Sequence, residues 1–250
     1  MRDPETLPDA QDVDVVVHLA ALAGVSPSWA DPDGYRATNV GGTSNVLDWA
    51  ARIGARRVVV ASSSSVYGEC PEPAGEGRAL RPLSPYAETK AEAELRCHDR
   101  WPFEVVVVRP FSVYGPGQRA DMLLSRLLSG EPLTLWPFVR DFTYVDDVVA
   151  GIVACLDVEL DGRVETFNLG SGRPVRAVEL LDALADVTGR RIEVAWGAGR
   201  TGEPVQTWAD TSKARERLGL GEPTPLHDGL AAQVAAAAAS SSGSAPSPQR

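Results

Sequence analysis

Three valine-rich runs constrain this chain more than any other feature. Val13 to Leu19 reads VDVVVHL, Arg57 to Ala61 reads RVVVA and Glu104 to Arg109 reads EVVVVR. The first is a continuous apolar stretch bounded by Asp12 and small residues, the pattern of a strand buried on both faces. Between the runs, the spacing predicts helices over Tyr35 to Ile53 and from Pro85 to about Trp101. Alternating strands and helices joined by right-handed crossovers give an α/β fold with a doubly wound parallel sheet.

After Pro116 the elements become shorter and mixed. A helix is expected near Met122 to Leu128, then an extended LTLW, a strand-like DFTY and a helix from Val145 to Leu156. Next come strand ETFNLG, helix Val178 to Thr188, strand Ile192 to Val194 and helix Thr211 to Leu218, the last stopped by Gly219. This divides the chain into a first region over residues 1–118 and a mainly substrate-binding region over 119–234. The two are interwoven, with the stretch near 140–168 returning to the first. Residues 235–250, rich in Ala, Ser and Pro, are expected to be a disordered tail.

The formal charge of -10 gives a field that repels phosphate backbones and anionic lipid, and no basic patch offsets it, so neither nucleic acid nor membrane is an expected partner. Cys70, Cys97 and Cys155 are three widely spaced thiols without a CxxC, which fits reduced buried cysteines and no metal site. The acidic start lacks the features of a signal peptide, and no later run is long enough to span a bilayer. A cytoplasmic location follows as the expectation.

Chemistry enters at SPYAETKAEAE. Tyr86 and Lys90 stand four apart on a predicted helix, so both side chains project from one face. An ammonium there is expected to acidify the phenol; lowering a tyrosine from about 10 to near 7 takes roughly 4 kcal/mol. By itself YxxxK is weak, since such a pair is usually a core contact and a solvated charge. Upstream, ASSSSVYG places the hydroxyls of Ser62 to Ser65 at the carboxyl end of a strand, where open α/β folds bind ligands.

HLAALAGV, NVGGTSNV, ASSSSVYG, YAETK, VRPFSVYGPGQR and RDFTYVDDVV, in that order from about residue 12 to 234, resemble the extended short-chain dehydrogenases. These NAD-dependent epimerases and dehydratases act on nucleotide sugars. The resemblance implies a Rossmann-like sheet with a small α/β substrate-binding region at its C-terminal side. It implies Tyr86 as the acid or base at the sugar hydroxyl, Lys90 at the nicotinamide ribose, and Ser63 bridging hydroxyl and tyrosine. Leu19, Ala20, Ala21, Thr38 and Phe111 would line NAD. Ser64, Ser112, Arg119, Arg140, Arg200 and Glu203 would hold the nucleotide sugar, with Glu203 standing where the family usually has Asp.

Related dehydratases carry an Asp-Glu pair where this chain has Ser64 and Ser65. With no carboxylate to protonate a leaving hydroxyl, the plainest reaction is 4-epimerisation through a 4-keto sugar. VYGPGQRADM looks like the UDP-glucuronate 4-epimerase version, in which Arg119 would clamp the sugar carboxylate. A loop cation paired with Asp121 is the competing reading of that arginine.

The family's GxxGxxG loop and first strands are not in this sequence, so Val13 to Leu19 corresponds to the fourth strand of a sheet ordered 3-2-1-4-5-6. An apolar edge strand is then left open, to be covered by a partner chain or other element. Three readings follow: an ordinary epimerase recorded without its first strands, a truncated homologue doing cofactor-independent acid-base chemistry, or a noncatalytic partner subunit. Family dimers pack two helices per chain into a four-helix bundle, so the predicted helices at 35–53 and 85–101 imply a homodimer.

Overall fold

A computed structural model describes residues 1–242. Its central sheet is built from β1 (Val15–His18), β2 (Arg57–Ala61), β3 (Glu104–Pro110) and a fourth strand, Val164–Leu169, all parallel and in that spatial order. Strictly alternating faces explain the valine runs. Val58, Val60, Val105 and Val107 pack to one side with Val46, Leu47 and Ala50, while Val59, Val106 and Val108 pack to the other with Val148, Phe167 and Leu169. β-Branched side chains suit this two-sided burial. β1 forms one edge of the sheet, with Val17 and Leu19 exposed.

Between β1 and β2 run α1 (Val25–Ala30), α2 (Pro32–Arg36), a π-helical turn at Ala37–Gly41, and α3 (Gly42–Arg52). The predicted helix over 35–53 is therefore continuous but locally widened, and Thr38 and Asn39 sit in the widened turn. π-Turns of this kind often re-aim side chains at functional sites. Between β2 and β3, a 3-10 turn at Ser64–Tyr67 precedes α4 (Pro85–Cys97). α4 is capped by Ser84, whose hydroxyl accepts from Ala87 N at 3.2 Å, with Pro85 at its first position. The helix ends at Cys97 and not near Trp101, because Asp99 to Phe103 turn back into β3.

The remaining elements are β4 (Ser112–Tyr114), α5 (Leu123–Ser129), β5 (Thr134–Leu135), β6 (Val139–Tyr144), α6 (Val145–Ala154) and β7, the Val164–Leu169 strand already placed. β8 (Pro174–Arg176), α7 (Ala177–Thr188), β9 (Ala195–Trp196), α8 (Ser212–Leu218) and α9 (Leu226–Ser242) complete the chain. β4, β6 and β8 form a small sheet, and β5 pairs with β9. A second core gathers Leu124, Leu127, Leu135, Trp136, Phe138, Phe142, Leu180, Leu184 and Leu230. Buried Asp141 fastens this lobe, accepting from Ser171 N at 2.7 Å, Gly172 N at 3.0 Å and Ala209 N at 3.1 Å.

Two expectations are corrected. The strand placed at Ile192 to Val194 forms three residues later as β9, because Ala195 and Gly197 donate to Leu133 and Leu135 while Ile192 is claimed by the core. The tail expected to begin at 235 is helical as far as Ser242, where α9 extends through an alanine run. Alanine is the best helix former, and adding residues to an existing helix avoids the cost of a new nucleus. Residues 243–250 of that expectation lie outside the described residues. Among the described residues, no helix is long and apolar enough to cross a membrane.

Candidate active site

The site lies where β1 and β2 end and α4 begins. Ser63 caps the 3-10 turn, its Oγ accepting from Ser65 N at 3.2 Å and from Ser65 Oγ at 3.0 Å. A hydroxyl oxygen has two lone pairs, so these bonds leave Ser63 its own proton to donate. That proton meets Tyr86. The Ser63 hydrogen bond stabilises the phenolate and opposes the burial that pushes the Tyr86 phenol above its ordinary value. Tyr35 stands edge-on to Tyr86, with ring centroids 6.3 Å apart, and raises it slightly further.

Arg119 also lowers the Tyr86 phenol, as the smallest of these influences, and Lys90 Nζ donates to the Ala61 carbonyl at 2.6 Å. Burial depresses Lys90 to about 8, with Glu94 pulling it partly back. Its neighbour His18 is buried and pushed down to about 4, first by desolvation and then by Lys90. Thr43 Oγ1 donates to Asn39 O at 2.6 Å, so the 3.0 Å contact from His18 Nε2 is a donation and the ring carries its proton on Nε2.

These values carry a pH dependence. Below about 8, Lys90 is protonated in both native and unfolded chains; between about 8 and 10.5 only the unfolded chain keeps the proton, so stability from this group rises with pH. Relative to Lys90→Met, the unfolding free energy of the wild type should gain about 2 kcal/mol between pH 8 and pH 10. Denaturant titrations of both proteins at the two pH values read this directly; parallel behaviour would place Lys90 in solvent.

The remaining expected residues fall into two groups. Leu19 and Ala20 are exposed at the end of β1, followed by partly buried Ala21. Their loop is pinned by Asn39, which accepts from Leu22 N at 2.8 Å and donates to Leu22 O and to Thr89 Oγ1, each at 3.0 Å. Thr38 Oγ1 is committed within the chain, donating to Gly34 O and accepting from Arg2 Nε at 2.6 Å. Phe111 is a buried ring stacked on Tyr67. Partly buried Ser64 opens the 3-10 turn and Ser112 opens β4.

Arg119 is found in the loop pairing expected of it as the competing reading. It is exposed and makes a bidentate pair with Asp121 at 2.9 and 2.7 Å, yet its field reaches Tyr86 and Tyr35. Arg140 and Glu203 lie 3.5 Å apart, and Arg140 also donates to Val205 O at 2.9 Å and Pro204 O at 2.6 Å. Arg200 stacks over Trp136 at 4.9 Å. This loop reaches the catalytic helix, because Gly202 packs against Leu83, Ser84 and Trp29. Among the described residues, no cluster of His, Cys, Asp or Glu is placed to hold a metal ion.

Sequence reasoning missed Asn39, Thr43, His18 and Tyr35, although three of them stand in or beside the motifs HLAALAGV and NVGGTSNV. A polar residue next to a double glycine in an otherwise amphipathic helix was the available signal.

The comparisons agree with this geometry. Residues 2–170 match the NAD dependent epimerase/dehydratase family. A Bacillus subtilis protein described as an uncharacterized UDP-glucose epimerase is 38% identical over 237 residues, covering 90% of this chain and 74% of its own. The UDP-glucuronate 4-epimerase of Thermodesulfobacterium geofontis is 33% identical over 238 residues, covering 90% and 73%. MoeE5, solved with UDP-glucuronic acid and NAD, superposes with a TM-score of 0.87 at 38% identity, covering 92% of this chain and 81% of its own. The chain belongs to the NAD-dependent epimerase/dehydratase family, an enzyme family with a Rossmann-like α/β fold.

NAD is the cofactor of this family, and the residues present suit its nicotinamide half. A buried ammonium at Lys90, a neutral His18 and a buried Ser62 hydroxyl without a partner converge at the ends of β1 and β2. No GxxGxxG turn for a pyrophosphate occurs in these 250 residues.

Proposed function

We propose that this protein is a UDP-sugar 4-epimerase whose preferred substrate is UDP-glucuronate. The observation that carries the reading is an exposed Arg119 guanidinium near enough for its charge to act on both Tyr86 and Tyr35, a cation suited to a carboxylate on the sugar. Support also comes from the UDP-glucuronate 4-epimerase relative and from the uronate-bound structures of MoeE5 and the Bacillus cereus 4-epimerase.

In this reading Tyr86 takes the proton from the sugar C4 hydroxyl and returns it after the ring has turned. Ser63 donates its one free proton to the oxygen that bears the developing charge. Lys90, with Ser62 and the Leu19 to Ala21 loop, holds the nicotinamide ribose. When bound, NAD supplies the hydride acceptor and, after reduction, the hydride donor. Ser64 and Ser65 keep acidic groups away from the reacting carbons, which favours return of the hydride over elimination. Arg140, Glu203 and Arg200 face the nucleotide and its diphosphate. A homodimer through α3 and α4 and a cytoplasmic location complete the proposal.

A neutral hexose as substrate is favoured by one observation, the bidentate hold of Asp121 on Arg119. One assay separates the two. With NAD present, chromatography of UDP-glucuronate and UDP-glucose incubations should show the uronate converted to its 4-epimer with the higher kcat/KM. Arg119→Ala should lower that value by about 30-fold for the uronate, roughly 2 kcal/mol of charge-assisted hydrogen bonding, and hardly change it for the hexose. Equal losses on both sugars would assign Arg119 to the loop and the substrate to the neutral class.

A further inference from the structure

Two buried charges take no part in the chemistry above. Arg109, on β3, is 5% exposed, and Glu94, on α4, is equally enclosed. Arg109 Nε and a terminal nitrogen donate to the two Glu94 oxygens at 2.9 and 2.5 Å. Its other terminal nitrogen donates to Tyr67 Oη at 2.8 Å and to Glu76 O at 3.0 Å. The Tyr67 hydroxyl in turn donates to Asn168 Oδ1 at 2.7 Å.

The placement of the partners gives the pair its meaning. Tyr67 ends the 3-10 turn that Ser63 begins, and Glu94 follows Tyr86 and Lys90 at successive four-residue steps along α4. One planar fork therefore ties the turn that bears the serine to the helix that bears the tyrosine and lysine. A buried ion pair contributes little net stability compared with a well-packed apolar filling. Its energy explains it less well than its position does.

We propose that Arg109 and Glu94 are the positioning pair of this active site, Arg109 locking the Ser63 turn to α4 and fixing the Glu94 carboxylate one helical turn beyond the Lys90 ammonium. The inference rests on the reading of Ser63, Tyr86 and Lys90 as the catalytic set. The charged and titratable groups acting on Lys90 are few. His18 on β1 is neutral, burial pushes the Cys97 thiol on α4 up to about 12, and Glu94 supplies the negative charge.

The test needs neither substrate nor cofactor, so its failure and that of the epimerase reading are separable. Pulse labelling of the full chain with an amine-reactive anhydride across pH 6 to 11, read at the Lys90 peptide by mass spectrometry, gives the midpoint at which the amine becomes reactive. Glu94→Gln should move that midpoint down by about 1 to 2 pH units, because removing the carboxylate also leaves the Arg109 charge uncompensated. Glu94→Asp, which keeps the charge, should stay close to the wild type. If Glu94→Gln does not unfold cooperatively, the double variant Glu94→Gln with Arg109→Met replaces the pair by neutral groups and should show a downward shift as well. An unmoved midpoint in whichever variant folds would reduce the pair to a structural tie and overturn the proposal.

Discussion

Tyr86→Phe should lower epimerase turnover by about 1,000-fold while leaving the chain folded. The substitution deletes one oxygen, the atom that exchanges a proton with the sugar, and general acid-base groups contribute about 100- to 10,000-fold. Its structural cost is small by comparison. The ring keeps its edge-on contact with Tyr35, and the lost hydrogen bond to Ser63 costs about 1 kcal/mol. Turnover is read by chromatographic separation of the 4-epimers, and folding by thermal unfolding of the same sample. A loss of less than tenfold with an unchanged melting transition would remove Tyr86 from the proton path.

A related asymmetry makes this prediction sharper. The Tyr86 phenol is held above its ordinary value by burial, so the free protein stores the proton on tyrosine. Ionising it near neutral pH requires more than the roughly 4 kcal/mol of phenolate stabilisation that an ordinary tyrosine would need. Ser63 and Arg119 contribute to this from the chain itself. A bound oxidised nicotinamide brings further positive charge, which ties the acidity of the tyrosine to occupancy of the cofactor site.

The parts of this molecule that were legible in the sequence are those decided by local pattern. Val58 to Val60 and Val105 to Val108 are apolar on both faces, and only a strand in the middle of a sheet buries both. Ser84, Pro85 and the YxxxK spacing fix where α4 starts and which face carries Tyr86 and Lys90. What sequence did not reveal depends on neighbours distant along the chain. Lys90 was visible as a cation, but the Ala61 carbonyl that receives its ammonium hydrogen bond lies 29 residues earlier in the chain. The widened turn that aims Asn39 at Leu22 and Thr89 follows from packing against α4, some 50 residues on. Arg109 looked like the end of a strand; its four hydrogen bonds go to three residues distant along the chain, Glu94 twice, Tyr67 and Glu76. The alanine run of α9 misled for the opposite reason, because its low complexity masked a high helix propensity.

Gly68→Ala should destabilise the fold by about 4 kcal/mol, the largest loss expected from adding a single methyl group here. Gly68 ends the 3-10 turn of Ser64–Tyr67 with φ +70 and ψ -133, a combination that L side chains rarely adopt. A Cβ at this position would overlap the backbone carbonyl of Arg81. That carbonyl cannot simply rotate aside, since the Arg81 amide donates to Val66 O at 2.9 Å within the same pairing. Relief requires moving the turn itself, and with it the Ser65 hydrogen bonds that leave Ser63 free to donate to Tyr86. Gly54→Ala is the matched control: its φ is +73, but a Cβ there meets nothing within 4 Å, so about 1 kcal/mol of backbone strain is the whole expected cost. Urea midpoints of the two variants separate steric overlap from backbone conformation. Equal losses would mean that the Gly68 turn yields without resistance, and the serine would then be held by its own hydrogen bonds alone.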